Sequence, residues 1–129
     1  MITEEIRNSF MQANQVLLQA QTELNRPHED VVTLSACQSV RASMKQMMHL
    51  YLSAHEIECN KKLSLEELIN VCQKSNRLFA SVDIDKIECK GETHENCGGK
   101  YCLSIENVNC CVTAANQLKG IVWSEFKIN

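Results

Sequence analysis

Four residues between positions 89 and 102 carry the chemistry of a tetrahedral zinc centre: Cys89, His94, Cys97 and Cys102 offer three thiolates and one imidazole. Their order, C-x4-H-x2-C-x4-C, uses intervals found in zinc knuckles, and Gly98 and Gly99 would permit a tight turn between ligands. The intervals are rearranged, however, and paired C-x-x-C units are absent. A Cys97 to Cys102 or Cys89 to Cys97 disulfide and free thiols in a polar loop are therefore the alternatives. The plainest is the set of free thiols, so no cofactor is expected, and zinc stands second.

A second constellation is Arg41 and His49. Arginine binds phosphate through two parallel hydrogen bonds and histidine titrates near neutrality, so the pair has the groups needed to cleave a phosphodiester. Eight residues apart, they fall near one helical face, about 12 Å from each other along the axis. That is too far for both to engage one phosphate within one chain. A solvated pair on the rim of a helix is the simpler alternative.

The elements that must position these groups are helical. Ile6, Phe10, Ala13, Leu17, Ala20 and Leu24 recur at alternating intervals of four and three, predicting an amphipathic helix over 3–25 that Pro27 ends. Cys37, Val40, Met44, Met47, Tyr51 and Ala54 do the same over 30–54. There Ala36, Met48, Leu50 and Leu52 widen the stripe, as befits a central helix buried on more than one side. Met44, Met47 and Met48 read as core filler at this spacing. Ser64 and Glu67 form an S-x-x-E capping box flanked by the staple pair Leu63 and Leu68, opening a helix expected to reach Ala80. The last helix, 104–126, buries Ile105, Val108, Val112, Ala115, Leu118, Val122 and Phe126. On it Cys110 and Cys111 point about 100 degrees apart, so one belongs to the core and the other to a helix or subunit boundary. His55 closes the second helix, where a protonated imidazole would suit the negative end of the dipole. The Cys-rich loop 82–103 breaks the pattern, and its part over 82–100 is expected to be more mobile than the helices.

Composition agrees with one helical domain spanning 1–129. With 4 Gly and 1 Pro, the chain lacks the turn residues of a sandwich or barrel. A net charge of −3 with scattered Lys and Arg provides no basic face for a nucleic-acid backbone. Apolar runs are far too short to span a bilayer, so no membrane association is expected. MITEEIRNSF has acids where a secretory leader would carry a basic segment, which predicts a cytoplasmic protein whose 8 cysteines are mostly reduced. Trp123 and Phe126 form an apolar chain end with little sequence left to cover them, a candidate subunit interface.

The stretch from Ser35 to Phe79 resembles the HEPN (higher eukaryotes and prokaryotes nucleotide-binding) domain. The likeness lies in small residues early in a helix (Ala36, Ala42), a basic residue before its apolar end (Lys45), a loop over 55–62, and Ser64, Leu65 and Leu68 opening the next helix. The last helix resembles that family's Ala-rich final helix. Four helices joined by mostly short connections make an antiparallel, up-and-down four-helix bundle the expected architecture, and the resemblance implies a small helical bundle, often homodimeric, in one of two roles. One is a metal-independent ribonuclease of the toxin and antitoxin type, whose paired protomers bring together an Arg and a His separated by four to six residues. The other is a non-catalytic partner of a minimal nucleotidyltransferase, or a nucleotide or RNA contact module. Here no Arg has a His at that interval, and the last helix has neither residue. The expected function is thus the non-catalytic module, with the ribonuclease second and a zinc-binding or thiol-sensing bundle third.

Overall fold

The computed structural model describes residues 4–27, 33–60, 62–82 and 105–127. Among these the chain is all-helical, with four α-helices: α1 (Glu4–Leu24), α2 (Thr33–Ala54), α3 (Leu65–Ser75) and α4 (Ile105–Lys127). A short 3-10 turn, Arg77–Ser81, follows α3. The Cys-rich stretch with Cys89, His94, Cys97 and Cys102 lies outside the described residues, as does the expected start of α2 at residue 30.

The apolar stripes are the buried faces. Phe10, Ala13, Leu17 and Ala20 of α1 are buried, and so are Leu65, Leu68, Ile69 and Cys72 of α3. On α2 most of the main stripe and of its second set goes inside, Ala36, Cys37, Val40, Met44, Met47, Met48, Tyr51 and Leu52, whereas Leu50 and Ala54 are only partly buried. This width follows from position, because α2 packs against α1, α3 and α4. Small residues let α1 and α2 approach closely, and the buried Ser43 hydroxyl donates to the Ala13 carbonyl oxygen at 2.7 Å. That bond satisfies a hydroxyl that would otherwise be stranded in the core.

The α3 amino terminus is built as its sequence dictates. Ser64 Oγ accepts from the Glu67 backbone N–H while Glu67 Oε1 accepts from the Ser64 N–H, satisfying two donors reciprocally. The helix stops earlier than the stripe suggests, however. Asn76 is extended (φ −147°, ψ 121°), and its side-chain oxygen accepts from the Leu78 N–H to start the 3-10 turn. Local side-chain hydrogen bonding of this kind competes with helix continuation. Phe79 still reaches the core, carried there by the turn.

Candidate functional site

The end of α2 determines what lies near His49. Glu56 has φ 58°, the left-handed conformation. The Ile57 N–H donates to Leu52 O at 2.8 Å and the Glu56 N–H to Ser53 O at 3.1 Å. These two bonds define a Schellman closure, normally made with glycine at the position Glu56 occupies. The closure reverses the chain, so that residues 57–59 run back beside the last turns of α2. Cys59 Sγ thereby comes to 3.7 Å from His49 Nδ1, ten residues earlier in the chain.

The pair faces an open groove of about 870 Å³ between α1, α2 and the returning strand of chain. Ser9 and Gln12 from α1 and Gln46 and Ser53 from α2 supply hydroxyls and amides to its walls, and Glu56 and Glu58 add carboxylates. Among the described residues, no Lys or Arg lines the groove. Leu50, Leu52 and Ile57 provide the apolar part. Cys59 is half-buried, which leaves its thiol accessible from the groove.

Arg41 is only 5% exposed, buried on the inner part of α2, whereas His49 lines the groove. The solvated rim pair is therefore not what forms, because α2 is covered on several sides. His55 packs its ring 4.4 Å from that of Tyr51 and lies 3.8 Å from Glu125 of α4. Cys111 is buried and Cys110 exposed, as their angular separation requires. Met44, Met47 and Met48 are entirely enclosed.

At the α4 end, Phe126 is buried within its own chain, edge-on to Phe10 at 5.8 Å, and Trp123 stacks on the same ring at 5.1 Å. Phe10 thus covers much of the apolar surface that the chain end contributes. Trp123 remains half-buried and borders a cleft of about 250 Å³ with Met11, Asn14, Lys119 and Gly120.

Among the described residues, no group of three or more His, Cys, Asp or Glu side chains is placed to hold a metal ion, and no helix is long and apolar enough to cross a membrane. Comparison of the chain with family models, curated proteins and solved structures finds no match.

The reading of residue types and intervals missed Cys59 as a partner of His49. A ten-residue interval with the helix end between has no fixed geometry. The usual signal for the reversal, a glycine after the helix, is absent because Glu56 takes that place.

Proposed function

We propose that this chain is a non-catalytic helical interaction module, an antiparallel HEPN-like bundle that binds a protein partner of the nucleotidyltransferase type through the groove between α1 and α2. The observation that carries this is the lining of the groove. Amides, hydroxyls and carboxylates with an apolar floor suit a polypeptide segment, and the absence of cations among the described residues of the lining disfavours a phosphate backbone or nucleotide. Its volume of about 870 Å³ is at the upper end for small-molecule pockets and admits several side chains. The antiparallel arrangement is supported by contacts at one end. Phe10, early in α1, meets Trp123 and Phe126, late in α4, while Ser9 and Gln12 share the groove with Gln46, His49 and Ser53 of the second half of α2.

The test is co-expression with the minimal nucleotidyltransferases of the same genome. Co-purification abolished by Gln46→Arg is the expected result. Incubation with single-stranded and transfer RNA should give no cleavage, and anisotropy at low salt no binding. Cleavage lost in both Arg41→Ala and His49→Ala would replace this proposal with the ribonuclease. Self-association through the α4 end belongs to the same proposal, since Met11, 52% exposed, and Trp123 border one cleft. Light scattering should show a dimer that Met11→Glu and Trp123→Glu each shift towards monomer, and a monomeric parent protein would remove this part.

A further inference from the structure

We infer that Cys59 is a thiol–disulfide exchange site at which His49 accepts the thiol proton and the groove admits small neutral or cationic disulfides. Three observations carry it. Cys59 Sγ and His49 Nδ1 are 3.7 Å apart, within hydrogen-bond range for sulfur, so the nucleophile and its base are already in contact. Cys59 lines a groove of about 870 Å³, large enough to admit a disulfide of several heavy atoms. Among the described residues that line the groove, the formally charged side chains apart from the imidazole and thiol are Glu56 and Glu58, both exposed, which attract a cationic reagent and repel an anionic one.

The step balances without a further oxidant. The proton passes from Cys59 to His49 Nδ1, which accepts it when the ring carries its own hydrogen on Nε2. The thiolate attacks one sulfur of the incoming disulfide, forming a mixed disulfide on Cys59 and breaking the reagent's S–S bond. The departing thiolate leaves with the bonding electron pair and takes up the proton. Cys59 is oxidised as the reagent is reduced.

The fate of the adduct is decided by Cys72. It is close enough to Cys59 for their charges to interact, but it is completely buried, and desolvation pushes its thiol up to about 12. At neutral pH it stays protonated and does not displace the adduct, so the mixed disulfide persists and no Cys59 to Cys72 disulfide replaces it. The inference does not rest on the partner reading: exchange is read as an adduct on Cys59 of the isolated chain, the interaction module as a co-purifying protein.

The experiment exposes the full reduced chain at neutral pH to cystamine, 2-hydroxyethyl disulfide or oxidised glutathione and maps adducts by peptide mass spectrometry over time. Cys110, exposed on α4, is the internal reference thiol. With cystamine, Cys59 should react on the order of tenfold faster than Cys110, although it is less exposed. Relative to Cys110, its preference should run from cystamine through hydroxyethyl disulfide to glutathione. His49→Gln should slow Cys59 on the order of tenfold and leave Cys110 unchanged. Should that variant fail to fold, Glu56→Gln with Glu58→Gln tests the same site, by removing the preference for cystamine over glutathione. A Cys59 rate no greater than that of Cys110, a folded His49→Gln that reacts as the parent does, a charge preference unaltered in the Glu variants, or a Cys59 to Cys72 disulfide as the main product would each overturn the inference.

Discussion

Cys72 and Cys59 are near neighbours in opposite surroundings. Cys72 belongs to the sealed side of the molecule, where α2, α3 and the 3-10 turn close over Tyr51 and Phe79, rings 4.7 Å apart and edge-to-face. The Tyr51 hydroxyl meets Ser75 Oγ at 2.8 Å at the edge of this region, so its polar end is satisfied while its ring is enclosed. Cys59 belongs to the groove side, beside an imidazole and within reach of solvent. One thiol is a small hydrophobe and the other is poised for chemistry. The difference shows that cysteine in this chain has no single role, and that burial and the nearest nitrogen decide which it takes.

The sharpest way to break this contrast is to open the sealed side. Phe79→Ala removes a completely buried ring that packs on Tyr51, and urea denaturation should show a loss of about 3–5 kcal/mol. A loss under about 1 kcal/mol would mean that the region is not sealed.

Alkaline pH probes the same contrast through titration. Burial raises the Cys72 thiol from 9.0 to about 12, and desolvation also raises Tyr51 above 10.0, so in both cases folding favours the protonated form. The stability they contribute is fully present below about pH 9 and is lost as pH rises from there towards 12. Denaturation midpoints at pH 7 and pH 10.5 should therefore separate, and Cys72→Ala should narrow the separation. A separation identical in that variant would assign the alkaline loss elsewhere.

On the groove side the expected effects are smaller and of mixed sign. Glu56→Gly relieves a left-handed conformation at a residue with a side chain and should raise stability by up to about 1 kcal/mol, since glycine adopts it freely. A loss on this substitution would show that the Glu56 side chain contributes more than its backbone costs. Gln46→Ala, on an exposed wall of the groove, should change stability by no more than about 0.5 kcal/mol. A larger loss would show that the groove wall is a structural contact.

Much of the helical architecture was legible because it depends on short intervals. The α1 stripe from Phe10 to Ala20, the wide α2 face and the Ser64–Glu67 box all formed at the residues expected. A helix repeats every 3.6 residues whatever surrounds it, so such patterns need no knowledge of distant parts of the chain. The end of α3 was less legible, because Asn76 competes with the helix through its own side chain and Phe79 continues the stripe beyond the break. The phosphodiester pair was drawn from helical spacing alone, and spacing says nothing about cover. Packing of α2 against three helices placed Arg41 inside and left His49 at the groove.

What the sequence determined by itself is local: which segments are helical, which face of each is apolar, and where α3 begins. Each follows from interactions among residues within about four positions of one another. The company each side chain keeps was set by tertiary packing alone. Phe10 covers Trp123 and Phe126 from more than a hundred positions away, and Cys59 meets His49 because the chain reverses at Glu56. Contacts of that kind depend on how helices dock and how their ends turn. No periodicity encodes them, because their energy comes from burying surfaces that are adjacent only once the chain has folded.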